Sequence, residues 1–270
     1  MGMIDRTEHI IIENDPDTKD NAEMSMKDTG MSRNNAGGGD KAAATAKTIA
    51  VTGATSGIGL AAVKALVQNG AYVIGTGRSD ERCRAAEQEV RSNCPDAKIS
   101  YLTADLSSLS EVRRLASDIR KTLAKDGFSQ LDVLINNAGL AAGLNPLQEG
   151  DIDDWNRMID TNVKGLLYIT RYISPLMVMR GEGHIVNVGS ISGKEVYPNG
   201  TVYCATKHAV DALTKGMRMD MLKHNIKVTQ ICPGAVETEF SIVRFRGDKE
   251  RAAAVYEGYE NLVEIGRAHV

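Results

Sequence analysis

KTIAVTGATSGIGLAAVKALVQN, residues 47–69, is the stretch on which the fold turns. It opens with a short β-branched and apolar run, 47–52, of strand length. Gly53, Gly57 and Gly59 follow in the pattern Gly-x-x-x-Gly-x-Gly, with Thr55, Ser56 and Ile58 between them. Helical spacing then begins, through Leu60, Val63, Leu66 and Val67. Glycines at such a turn let the backbone pass close to a pyrophosphate, and the helix that starts there points its N-terminus at negative charge. The expectation is the first strand–turn–helix unit of a nucleotide-binding sheet.

Working outward, the same alternation recurs. Short apolar runs at 72–76, 99–103, 132–136, 184–188 and 227–231 read as strands. Between them lie helical patterns at 79–93 and 110–125, one carrying Trp155 and Met158, one at 162–179 and a long one at 203–223. Ser110 with Glu111 behind it is the expected start of the second of these. Repeated β–α crossover implies a parallel sheet with helices on both faces, a doubly wound three-layer α/β/α domain. No second domain boundary is visible, so 47–263 is read as one dinucleotide-binding and catalytic domain.

The chain has 270 residues and a formal net charge of -3, too close to neutral to imply nucleic acid or a membrane surface as partner. No apolar run approaches the ~18 residues of a membrane span, and no secretory signal pattern opens the chain. Residues 1–46 carry nine acids against five bases and neither hydrophobic period, so they are expected to lack regular structure. The four cysteines, Cys83, Cys94, Cys204 and Cys232, form no CxxC pair. Reduced thiols in a cytoplasmic enzyme, with no metal site, are the expectation. The last seven residues, 264–270, resemble the translation of a sequencing adapter, which implies a natural chain that continues past about Val263.

The second strand runs into Gly75-Thr76-Gly77-Arg78. A site that reads a ribose diol wants a carboxylate near this point, whereas Arg78 suits a 2′-phosphate, which favours NADP over NAD. A further base at Ser56 would strengthen that reading. Asp105, just after the third strand, is placed to accept a hydrogen bond from an adenine amino group. Tyr203 and Lys207 stand at i and i+4 on one helix face. An ammonium beside a phenol is expected to lower its pKa from about 10 and suit it to proton transfer. Ser190 closes the fifth strand, at the sheet edge where open α/β sheets bind ligands, and its hydroxyl can hold a substrate oxygen.

These residues, with Asn136-Asn137-Ala138-Gly139, Asn162 and Pro233-Gly234, occur in the order found in short-chain dehydrogenases/reductases, and the chain resembles that family over about 47–263. The resemblance implies a catalytic tetrad of Asn162, Ser190, Tyr203 and Lys207. Tyr203 would be the acid/base, Ser190 would orient the carbonyl, Lys207 would also bind the nicotinamide ribose, and Asn162 would hold a relay water. It further places Leu106, Asn137, Ala138 and Gly139 at the cofactor. Pro233, Gly234, Val236 and Thr238 would join them, Thr238 near the carboxamide. Three segments, 137–143, 189–193 and 237–248, are similar to those of NADP-dependent 3-hydroxy acid dehydrogenases, which oxidise serine, allo-threonine and related β-hydroxy acids. Arg244 and Arg246 would then hold a substrate carboxylate, with Lys194 and Tyr197 weaker pocket candidates. The alternatives are a short-chain reductase of a ketone, sugar or acyl-thioester, or a cofactor-binding regulatory protein. The family's final helix and strand, part of a homotetramer interface, are expected to be missing by truncation, leaving a dimer or an aggregation-prone chain with an open sheet edge.

Overall fold

The computed structural model describes residues 46–236 and 238–255, and the backbone of Ile11 and Ile12. Six parallel strands form the sheet in the order β7-β6-β5-β2-β3-β4. They are β2 (Thr48–Val51), β3 (Tyr72–Gly77), β4 (Ile99–Thr103), β5 (Val133–Asn136), β6 (Gly183–Val188) and β7 (Ile226–Cys232). The order reverses between β2 and β5, the switch point at which a doubly wound sheet opens a crevice. The expected strands are thus all present, within a residue or two at each end.

Helices α1 (Gly57–Gln68), α2 (Asp80–Asn93), α3 (Leu109–Lys125), α4 (Ile152–Ile159), α5 (Leu166–Arg180) and α6 (Thr201–Leu222) cross between the strands. Helix α3 starts one residue before the expected point. Ser108 rather than Ser110 is its cap, and its hydroxyl accepts from the Glu111 amide. Two short helices that the hydrophobic pattern did not reveal, α7 (Phe240–Arg244) and α8 (Lys249–Ala254), follow β7. One apolar cluster joins Ile74, Leu134 and Ile185 of the sheet to Leu115 and Ile119 of α3, Ile173 of α5 and Val210 of α6. The other packs Val51 and Val73 against Val63 of α1 and Val90 of α2. Strands buried on both faces explain why β2 and β3 read as continuous apolar runs rather than alternating ones.

Two residues of the N-terminal segment depart from the expected lack of structure. Ile11–Ile12 form β1, antiparallel to β7 at Cys232 and Ile231. An outer strand offers a row of unpaired backbone groups, and a β-branched pair is well suited to meet them. The edge expected to stand open is therefore partly paired. The remainder of 1–45, and 256–270 with the adapter-like segment, lie outside the described residues. Among the described residues no helix is long and apolar enough to cross a membrane.

Candidate active site

The glycine turn between β2 and α1 is held from behind. Gly53 and Gly57 have φ of 62° and 53°, the left-handed region that glycine enters without a Cβ penalty. Asn137, at the end of β5, donates its side-chain amide to the carbonyls of Thr52 (2.9 Å) and Gly53 (3.0 Å). Thr52 answers through its hydroxyl, which accepts from the amides of Asn137 and Ala138, each at 3.0 Å. Tyr101 of β4 donates to the Ala54 carbonyl at 2.9 Å. The carbonyls of the turn are thus engaged on the sheet side. Ser56, the cap residue of α1, makes no side-chain capping bond, so the first-turn amides of α1 are left for an anion.

This turn opens into a cleft of about 1260 Å³ along the carboxyl ends of the strands. All the expected cofactor residues line it. Thr55, Ser56, Ile58 and Gly59 lie at the turn, Arg78 beyond β3, and Asp105 and Leu106 beyond β4. Asn137, Ala138 and Gly139 lie beyond β5, with Pro233, Gly234, Val236 and Thr238 beyond β7. Ser79 and Arg82 also line it beside Arg78 and were not singled out from the sequence. The signal was there: Ser79 caps α2 by accepting from the Arg82 amide, which puts Arg82 in the helix's first turn, on Arg78's side. The nearest acid, Asp80, is hydrogen-bonded by the Thr103 hydroxyl of β4. Asp105 has one carboxylate oxygen engaged by the amide (2.9 Å) and hydroxyl (2.8 Å) of Ser107. A long cleft with a phosphate turn at its middle and two guanidinium groups at one end fits NADP, whose extra phosphate those groups would face.

The proton-transfer residues meet at the other end. Tyr203 and Lys207 are both buried on α6, although Tyr and Lys ordinarily reach solvent. The Lys207 ammonium donates to the Val188 carbonyl at 3.1 Å and lies 5.9 Å from the Tyr203 ring centre. Ser190 begins a turn of 3₁₀ helix after β6, where its hydroxyl accepts from the Ser192 amide at 3.1 Å and bonds the Tyr203 phenol. Asn162 stands behind them, 2% exposed, and does not line the cleft. Its amide exchanges two 2.8 Å bonds with the backbone of Leu140 and donates to the Thr206 hydroxyl at 3.0 Å. Asn162 sits in a π-helical turn, Asp160–Gly165, a distortion frequent at functional sites. A Cβ on Gly139 would lie 3.3 Å from the Asn162 oxygen and 3.5 Å from the Lys207 nitrogen, so all three converge at that glycine.

One electrostatic expectation is reversed. Tyr203 is not lowered by its lysine. Burial pushes its phenol above the ordinary range, and the Ser190 hydrogen bond only partly opposes this. Burial likewise pulls Lys207 down to about 8. Desolvation dominates both shifts because both groups are withdrawn from water.

The two substrate arginines part company. Arg244, buried on α7, lines the cleft near Tyr203, close enough to favour its phenolate. Its Nε donates to the Gly143 carbonyl at 2.8 Å and another N–H to the Tyr197 hydroxyl at 3.2 Å. Arg246 does not line the cleft. It is paired with Asp154 (2.9 Å) and Asp151 (3.2 Å) instead. Lys194 is paired with Asp211 at 2.9 Å.

Comparison with known proteins agrees with this geometry. The family model described as short chain dehydrogenase matches residues 47–248. An NADP-dependent 3-hydroxy acid dehydrogenase of Salmonella typhi is 44% identical over 212 residues, covering 77% of this chain and 81% of its own. One of Schizosaccharomyces pombe is 38% identical over 225 residues, covering 83% and 85%. Among solved structures, a closed serine dehydrogenase complexed with NADP+ is similar, with a TM-score of 0.72 and 37% identity, over 80% of this chain and 83% of the other.

Proposed function

Since the chain belongs to the short chain dehydrogenase family, we propose that it is an NADP-dependent enzyme that reversibly oxidises the 3-hydroxyl of small hydroxy acids to the 3-keto acid. Serine, allo-threonine and 3-hydroxyisobutyrate are the substrate types. The observation that carries the substrate class is the buried guanidinium of Arg244 beside the Tyr203 phenol at one end of the cleft. A carboxylate two bonds from a carbinol carbon can meet the first while its hydroxyl meets the second. Arginine's planar fork suits that carboxylate, and two of its five donors are already committed to fixing its direction.

Bound NADP supplies the hydride exchange. The residues of this chain handle the proton and the placement. Ser190 holds the substrate oxygen against Tyr203. In oxidation the carbinol carbon loses hydride as its oxygen passes a proton to Tyr203. In reduction Tyr203 returns that proton to the carbonyl oxygen. Burial keeps the phenol protonated at neutral pH, so the resting form is the acid required for reduction. Oxidation needs the proton moved away, and Lys207, titrating near 8, is the adjacent group able to relay it. Asn162, locked to Leu140 and Thr206, fixes the backbone around that relay.

The test compares hydroxy acids with their methyl esters as substrates, in the wild type and in Arg244→Ala. The proposal predicts that the esters lose most of kcat/KM and that the variant no longer distinguishes acid from ester. Esters turned over as well as acids by the wild type would send the assignment to another carbonyl substrate.

A further inference from the structure

Arg246 is too exposed, at 63% of its side chain, to be a buried anchor, yet it is held more deliberately than a surface arginine. Its backbone is left-handed, with φ of 55°, a conformation that Gly or Asn adopts more readily. Two backbone bonds fix that turn: its amide to the Val243 carbonyl at 3.2 Å, and the Gly247 amide to the Ile242 carbonyl at 2.8 Å. The direction of its side chain is therefore tied to α7. That side chain reaches Asp154, an acid whose side chain is only 10% exposed and which also accepts from Arg157 at 3.0 Å. Two residues before Arg246, Arg244 exchanges backbone and side-chain bonds with Gly143, at 3.3 and 2.8 Å. A Cβ on Gly143 would lie 3.3 Å from the free oxygen of the same Asp154. Four residues from three segments, 143, 154, 244 and 246, thus form one knot on the substrate side of Tyr203.

We propose that Asp154 and Arg246 are positioning residues: their ion pair clasps α7 onto α4 and so holds Arg244 where a substrate carboxylate would meet it. The inference rests on the hydroxy-acid reading above. It differs from an ordinary exposed ion pair, which contributes little, in what it controls. The clasp touches no reacting atom. Its loss frees Arg244 and weakens carboxylate binding while leaving Tyr203, Ser190 and the glycine turn in place.

The experiment uses the full chain bound to NADPH or NADP. Arg246→Ala and Asp154→Asn should each raise KM for a 3-hydroxy acid about tenfold, with kcat and the NADPH Kd within about twofold. The double variant should lose less than the sum of the two, because both remove the Asp154–Arg246 contact, whereas the Arg246–Asp151 and Arg157–Asp154 pairs are each lost in one variant only. Arg246→Lys should recover most of the loss. Equal losses toward an uncharged ketone, or additive losses in the double variant, overturn the proposal. If the wild type oxidises no hydroxy acid, the functional reading fails separately, and Trp155 decides the clasp. It is the chain's single tryptophan, adjacent to Asp154, and lines a small cavity with Tyr203 and Arg244. Greater quenching of its emission by acrylamide in Arg246→Ala but not Arg246→Lys supports the clasp, and unchanged quenching refutes it.

Discussion

Replacing Lys207 by methionine isolates the free energy spent on burying a cation beside the Val188 carbonyl. Lys207 is 6% exposed, and its ammonium has one hydrogen-bond acceptor, the Val188 carbonyl. Burial lowers its pKa from 10.5 to about 8. Between those values the unfolded chain binds more protons than the folded one, so stability rises with pH across that window. The stability associated with the depressed pKa is fully present above 10.5 and is lost as pH falls through about 8. Linkage over pH 7 to 9.5 gives the wild type about 2 kcal/mol that the methionine variant does not gain. The assay is urea unfolding of both proteins, free of cofactor, at pH 7 and 9.5. Taking the difference between the two proteins cancels the titration of every group that is not coupled to Lys207, as Cys232 is. The wild type should improve on the variant by about that amount as pH rises. A difference that stays flat would show that Lys207 keeps an ordinary pKa, and would remove it from the proton relay proposed here.

Two other predictions concern the cofactor end. Gly59→Ala would put a Cβ 2.2 Å from the Gly53 carbonyl oxygen and 2.4 Å from the Asn137 amide, neither of which can yield without breaking the turn. It should cost about 1–3 kcal/mol in thermal or urea unfolding and abolish saturable NADPH binding, read by fluorescence titration. Arg78→Ala should weaken NADPH by about tenfold while changing NADH binding less than about twofold, since only the 2′-phosphate loses a charge-assisted partner. Equal losses for both nucleotides would move the phosphate subsite elsewhere, with Arg82 the first residue to test.

What the sequence revealed and what it hid have separate physical causes. The sheet was legible because β2 and β3 are buried on both faces and so read as unbroken apolar runs bounded by glycine and polar residues. The glycine turn, Ser190 and the Tyr203–Lys207 pair were legible because each depends on local spacing. Helices α7 and α8, five and six residues long, are too short to carry a helical period, and their stability comes from the segments they touch. The roles of Arg244 and Arg246 could not be separated by spacing, since two residues apart they face different partners, Gly143 and Asp154. The upward shift of Tyr203 was missed because its sign depends on burial, which a motif does not record. Pairing at Ile11–Ile12 was missed because an outer strand takes whatever β-branched segment reaches it, whatever its place in the chain.

The most direct test is NADPH formation from L-serine, L-allo-threonine and 3-hydroxyisobutyrate by the wild type and by Tyr203→Phe. The account predicts turnover of at least one of them with NADP, slower with NAD. In the phenylalanine variant kcat should fall by about 10²–10⁴-fold while NADPH binding is retained. No oxidation of any hydroxy acid by a wild type that binds NADPH, or a phenylalanine variant as fast as the wild type, would contradict it.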